Sequence, residues 1–587
     1  MAREVTFPRT RHVALSGPEH AGEAKATGSQ AILVPIRVAE GTTAPAGVLL
    51  PQPPEAGAPG VPEKGALPAA VPVPALAAGT GPAVPQQREL PWVVSVDIAE
   101  PAAEVDRCRS LDGNALAVRC PSSLEGRDVA GLLAGRAAVM GDAVLLEGLD
   151  RWYRLGSEGS GYCKSCGFAL MENLRETFGD HLEPFDALEA LRSSALPMRE
   201  RPFARQKEAL RLSEALEAAK RAVLRARDEA RRKRSVEIGV LGRVGTLNGL
   251  ALELCRHLDG LIFELSTEDA YAALLPLLAA RAALGQRPAI ALLSGTVNAA
   301  QVKLYAALAT ACDADLLLAD DAPAEARAAL AQHRQFLSLV RERYRPSAPL
   351  FDAEVLLSPI CDHWTAGGHQ RSAATAVAAL AKAQQQPAVR LDLTGGVHAR
   401  LLVLAGAAAI PASDAAAARK YVEGGGDILL LGKCMPVDEE GRVGDPVFPE
   451  VKSGLEPVGE GRVFALDDGA QEAAISRALR ELSGRGRAQV TLTGRGRLLT
   501  RAYLDPERKL DVHFVNLDLQ NDAVVPAQGV QVTIAGQAAG GGRAAYWFAP
   551  ERSGGKDGER IPLNPSGFSV STILPSVHSY ALLAVPR

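Results

Sequence analysis

Between Trp92 and Asp320, short runs of consecutive apolar residues recur: WVVSVDI (92–98), NALAVRC (114–120), DAVLLEG (142–148), VEIGVLG (236–242), LDGLIFEL (258–265), PAIALLS (288–294) and DADLLLAD (313–320). The stretches between them carry Ala, Leu and Arg at helical spacing. Near-continuous apolar strands alternating with helices predict a parallel sheet covered on both faces. Seven such strands, with an eighth in the N-terminal part or unrecognised, predict a (β/α)8 barrel. An open doubly wound sheet is the alternative.

One crossover is too long for a single helix. Its last part, ARQKEALRLSEALEAAKRAVLRARDEARRKR (204–234), has Leu and Ala on one side and Arg and Glu on the other, which predicts a helix. The terminal RRKR (231–234) reads as basic side chains facing the negative end of the helix dipole rather than as a nucleic-acid patch. From Phe351 to about Pro446 a second α/β unit follows, with strands around FDAEVLLSP, AVRLDL, HARLLVLAG and DILLLG. From about Ala488, alternating segments such as DVHFVNLDLQ, GVQVTIAG and AAYWFAP, separated by Gly-rich turns, predict a small antiparallel β-sandwich. QAILVPIRVAE (30–40) reads as a strand, whereas Pro51 to Leu90, with ten prolines, reads as a linker or irregular coat. The expected division is a Pro/Ala/Gly-rich segment at 1–90, a barrel at 91–348 with a helical insert at 168–234, an α/β domain at 349–470 and a β-domain at 480–587.

Composition narrows the partners. A net charge of −4 over 587 residues gives no surface field for nucleic acid. No apolar run approaches the ~20 residues of a membrane span. MAREVTFPRTRHVALSG lacks the apolar core of a secretory signal, and eight scattered cysteines do not make a disulfide scaffold, so a cytoplasmic protein is expected. Aromatic residues are only 4 %, which handicaps any site that must grip sugar rings.

In a barrel, the side chains at the carboxyl ends of strands converge on one face. Glu147 ends VLLE, Glu264 ends LIFE, Asp320 ends LLLAD beside Asp321, and Asp97 sits in VVSVDIAEP. Glycoside hydrolysis needs two carboxyl groups facing each other across a sugar, and Glu147 with Glu264 is the expected pair. Asp97, Asp150, Trp152, Tyr153 and Asp320 are the expected lining for a substrate. The bland alternative is that strand-end acids cap helices or pair with arginines. His363 and His369, in CDHWTAGGHQ, read as residues of a solvent-facing turn.

In GYCKSCG, Cys163 and Cys166 could bite one face of a zinc ion, but a structural site needs four ligands. Cys108, Cys120 or His181 would have to complete it. A redox pair is a further reading, since a CxxC spacing can lower a thiol's pKa, and a loop knot without metal is the expected outcome.

The order of parts resembles the (β/α)8-barrel glycoside hydrolases related to the family 42 β-galactosidases. NALAVRCPSSLEGRDVAGLL with DAVLLEGLDRW looks like their Cys-Pro turn, helix and acid-ended fourth strand. GYCKSCGFALMENLRETFG looks like their cysteine-rich loop and helix, and IPASDAAAARKYVEGGGDILLLG like the last helix and strand of their second domain. The resemblance implies a flavodoxin-like second domain, a trimer, a zinc loop and paired carboxylates. This chain has Leu146-Glu147 where the pattern has Asn-Glu, no carboxylate near Ser294 where the pattern places its nucleophile, and Gly161 in place of the first cysteine of CxCxxC. Two functions follow as expectations. One is a glycosidase acting on an oligosaccharide or small glycoside, with Glu147 as general acid and Glu264 as nucleophile or base. The other is an inactive scaffold or sugar-sensing protein on the same fold.

Overall fold

The computed structural model describes residues 15–16, 31–36, 92–99, 107–110, 112, 114–152, 161–179, 186–194, 203–319, 321–340, 348–365, 367–437, 443–482, 489–504, 509–535, 543–551 and 557–586. Eight parallel strands form one sheet: β1 (Leu15–Ser16), β2 (Ala31–Ile36), β3 (Trp92–Asp97), β6 (Ala143–Glu147), β7 (Gly239–Val244), β8 (Gly260–Glu264), β9 (Ala289–Leu293) and β10 (Asp315–Leu318). Their order in the sheet is the order of the chain. The hydrogen-bonded ladder runs from β1 to β10, and among the described residues no pairing of β1 with β10 closes it into a ring. The expected closed barrel is therefore seen as eight parallel strands in barrel order without a closing ladder.

The two faces of this sheet are buried differently. Val94, Val96, Val144, Leu146, Val240, Leu261, Phe263, Ala291 and Leu293 pack outward into the large core that includes the helices. Val93, Ala143, Leu145, Leu241, Ile262, Ile290 and Leu292 form a separate cluster to which only strand residues contribute. Among the described residues, no helix contributes to this second cluster. Alternation along each strand thus sorts side chains into an inner and an outer set.

One expected strand lies elsewhere. NALAVRC supplies β5 (Ala115–Arg119), which pairs antiparallel with β4 (Arg107–Arg109) in a hairpin outside the main sheet. Five apolar or mixed residues fit a hairpin arm as well as a buried strand, and periodicity does not separate the two. Two places are filled from the N-terminal part instead, by β1 and by β2, whose AILVPI pairs with β3.

After the hairpin, α1 (Leu124–Met140) starts at Ser123, whose hydroxyl accepts from the Gly126 amide. The insert between β6 and β7 holds α2 (Lys164–Phe178), α3 (Ala187–Ser193) and α4 (Ala204–Arg234). Helix α4 buries Ala215, Ala218, Ala219, Ala222, Ala226 and Ala230, a stripe of small side chains that lets α1 approach closely. The RRKR end serves the fold: Arg232 pairs with Glu229 at 2.8 Å and Arg234 with Asp142 at 3.3 Å.

A second sheet has the order 387–390, 353–356, 401–405, 427–431, 461–466, 454–458, parallel except for the last strand. Its first five strands follow the flavodoxin-type order. The C-terminal region packs a six-stranded and a four-stranded antiparallel sheet around Val512, Phe514, Trp547, Val532 and Leu583. His363 and His369 correct the expectation of a solvent-facing turn. Both are buried, on helices Pro359–Trp364 and Gly368–Lys382. No helix among the described residues is long and apolar enough to cross a membrane.

Candidate functional site

In-register parallel pairing decides what lies at the carboxyl ends. Asp97 pairs with Glu147, Leu146 with Gly242, Val244 with Phe263 and Glu264 with Leu292. Stepping by two from the inner residues Leu145, Leu241 and Ile262 leads to Glu147, Arg243 and Glu264. The period of two puts all three on the inner face, one layer above the dry cluster. Arg243 stands between the two acids, 3.6 Å from Glu147 and 3.9 Å from Glu264. All three side chains are partly open to solvent.

Neighbouring groups hold this layer. The Ser95 hydroxyl, one step back on β3, donates to the Glu147 carboxylate. Asp97 pairs with Arg151 and accepts from the Ala99 amide at 3.0 Å. Asp150 accepts from the Gly245 amide at 3.0 Å, which ties the loop after β6 to the loop after β7. The Asp97–Arg151 pair depends on Gly148, whose φ of 78° lies in the left-handed region and where a Cβ would strike the Asp97 carboxylate and the Arg151 guanidinium.

Four expected site residues are thus brought together: Asp97, Glu147, Asp150 and Glu264. Trp152 corrects the expectation of a cleft lining. It ends the 3-10 turn Leu149–Trp152 and is 1 % exposed, packed beneath the loop in the outer core. A short 3-10 turn returns the chain to the core within one step, so the large apolar ring goes down and Asp150 stays up. Tyr153, Asp320 and His181 lie outside the described residues. Ser95, Arg151 and Arg243 were not anticipated. Arg243 falls two residues after Leu241, so extending VEIGVLG by one residue would have found it on the inner face.

Of the residues that could complete the cysteine set, the structure brings two to the pair. Cys163 and Cys166 do not stand alone, because Cys108 and Cys120 join them from either side of the hairpin. All four sulfurs lie within 4.8 Å of one another, with Cys120 at 3.3 Å from Cys163 and 3.5 Å from Cys166, and Cys163 at 3.4 Å from Cys166. Four thiolates at ~2.3 Å from a tetrahedral zinc would be roughly 3.8 Å apart. The donor set and its spacing therefore fit a structural zinc site. The pairing register of β4 with β5, Arg107 opposite Arg119, carries Cys108 and Cys120 to the same end of the hairpin. Within the cluster, bonds from the other three thiols hold Cys108 well below the usual thiol range, and burial works against them.

No family model matches this sequence, and no curated protein matches it. Solved structures do. A β-galactosidase from Bacillus circulans sp. alkalophilus superposes with a TM-score of 0.66 at 10 % identity, covering 99 % of this chain and 100 % of that one. A β-galactosidase from the Antarctic haloarchaeon Halorubrum lacusprofundi gives 0.62 at 12 %, covering 98 % and 99 %. A GH42 β-galactosidase from G. stearothermophilus gives 0.62 at 10 %, covering 100 % and 99 %. The fold is that of the family 42 β-galactosidases. At this identity the likeness speaks for the fold along nearly the whole chain and leaves the chemistry to the residues.

Proposed function

We propose that the chain is a glycoside hydrolase that acts on an oligosaccharide or small glycoside with Glu147 and Glu264 as its paired carboxylates. The observation that carries this reading is the inner-face layer of Glu147, Arg243 and Glu264 at adjacent strand ends, with one guanidinium reaching both acids. A gap that one guanidinium spans is on the order of the roughly 5–10 Å that glycoside hydrolysis needs between its carboxyl groups. The shared fold of several β-galactosidases makes a β-galactoside the first substrate to try.

In this reading Glu147 gives a proton to the leaving oxygen, and the Ser95 hydroxyl orients its carboxylate. Glu264, across the gap, attacks the anomeric carbon or activates water. Arg243 offsets the like charge of the two acids and must swing aside, or bond to a sugar hydroxyl, when substrate enters. Asp97 and Asp150, each fixed by a partner of its own, present oxygens to sugar hydroxyls. Cys108, Cys120, Cys163 and Cys166 would hold a zinc ion that contributes folding energy to the hairpin and the insert.

The test is a screen of aryl-glycosides, galactoside first, with the wild type, Glu147→Gln and Glu264→Gln. Each substitution should lower kcat by at least about a hundredfold with circular dichroism and melting unchanged. Wild type and both variants equally inert across the screen would sink the reading in favour of a scaffold.

A further inference from the structure

We infer that Arg211 couples the four-cysteine cluster to the turn that follows Glu147, so that filling the cluster with a divalent metal orders that turn. The inference goes beyond the hydrolase reading and rests on the fit of the four thiols to a metal.

Arg211 lies on α4 and is 3 % exposed. One arm of its guanidinium donates to the Cys108 sulfur at 3.6 Å, and the other donates to the Trp152 carbonyl at 2.6 Å. That carbonyl closes the turn Leu149–Trp152. The same turn carries Asp150, bonded to the Gly245 amide, and Arg151, paired with Asp97. A single buried cation therefore touches the cysteine cluster at one end and the strand-end layer at the other.

The physics gives the coupling its direction. A metal binds thiolates and not thiols, so loading fixes negative charge on the four sulfurs. The guanidinium is permanently charged and forked. Loading also fixes the place of the Cys108 sulfur among the four ligands, and a fixed acceptor pins the first arm of the guanidinium and with it the second. A turn held more firmly when metal is bound must in return hold the metal more firmly.

The sequence supplies the room for this fork. Gly161 has a φ of 93°, and a Cβ there would lie 2.5 Å from the Arg211 guanidinium. The glycine that stands where the resembled loop carries a cysteine is thus the residue that admits Arg211. Cys108, on the first arm of the hairpin, completes the set of four beside Cys120 of the Cys-Pro turn.

The experiment uses the full chain with one equivalent of Zn²⁺ and reads no turnover, so its failure is separable from failure of the hydrolase reading. Hydrogen exchange is followed on peptides covering 147–152, with 401–405 in the second sheet as internal control. Release of zinc to a chromogenic chelator is timed in parallel. In the wild type, removing zinc should speed exchange at 147–152 at least tenfold and leave 401–405 unchanged. In Arg211→Gln one zinc should still bind, leave about tenfold faster, and no longer alter exchange in the turn. Arg211→Lys keeps the charge but loses the fork, and it carries the test if the Gln variant does not fold: its turn should also ignore zinc. A wild type that binds no zinc at micromolar concentration, a turn indifferent to zinc, or variants that respond as the wild type does would each overturn the inference.

Discussion

Acid should loosen the second sheet through His369. Its ring is fully buried, with Nδ1 bonded to the Ala405 carbonyl at 2.7 Å and Nε2 accepting from the Ser358 amide at 2.9 Å. This arrangement fixes a neutral tautomer, with the proton on Nδ1. A second proton on Nε2 would face the Ser358 N–H, with no water to receive it. Burial is the main cause that lowers the pKa to about 4, and the bond to Ala405 opposes it. The folded value lies below that of an unfolded histidine, roughly 6.5. The stabilisation is therefore complete above about pH 6.5 and is lost as the pH falls towards 4. Each pH unit in that window costs roughly 1.4 kcal/mol, so about 3 kcal/mol disappears between neutrality and pH 4. Buried carboxyls with raised pKa, such as Asp352 and Asp414, act in the opposite sense, and comparison with His369→Gln removes them because they are common to both proteins. The glutamine amide offers a donor and an acceptor but at a different reach and angle from the two ring nitrogens, so the variant should be weaker by about 1–3 kcal/mol at pH 7.5. Guanidinium melts at pH 7.5, 6, 5 and 4.5 should show that gap closing steadily on acidification. A gap that stays constant across the series would refute the neutral, doubly bonded histidine.

Gly148→Ala should cost about 2–4 kcal/mol, combining a left-handed backbone with displacement of the Asp97–Arg151 pair. A loss under about 1 kcal/mol in a denaturant melt would show that the loop can be built another way. Self-association is expected from the resemblance, with three chains, and light scattering that returns a single-chain particle at micromolar concentration contradicts it.

What was legible in the sequence follows the strength of each local signal. Helix 204–234 could be read to its ends, because thirty-one residues at one period leave no other element. Glu147 and Glu264 could be read because an acid that ends an apolar run in a parallel strand has few other places to go. Cys108 and Cys120 could be named as candidates for the cysteine set but not chosen over His181, because their approach depends on a pairing. Yet RCRSLDGNALAVRC contains Asp-Gly between two short runs, a hairpin signal that brings Cys108 and Cys120 to one end. Trp152 and the two histidines were misplaced for a shared reason. Residue type suggested a wet surface, while a 3-10 turn in one case and two consecutive helices in the other turned the rings inward.

The departures from the family pattern acquire a physical sense once side-chain direction is known. Leu146 replaces the asparagine before the acid, and it is completely buried in the outer core. On a strand with period two, the residue before an inward Glu147 points outward, so a polar side chain in that helix-covered layer would need a partner of its own. The polar company of Glu147 comes from the next strand, through Ser95. Gly161 shows the same shift of duty to a neighbour. A cysteine there would collide with Arg211, and the fourth thiol arrives from Cys108. Two of the three departures thus come with a second residue close by, and for the missing carboxylate near Ser294 the acid at hand is Glu264, one strand earlier. A site that had merely lost selection would lose the first residue without gaining the second. This pairing, more than the survival of either glutamate alone, favours the hydrolase over the empty shell, and the Glu147→Gln and Glu264→Gln comparison is where it can fail.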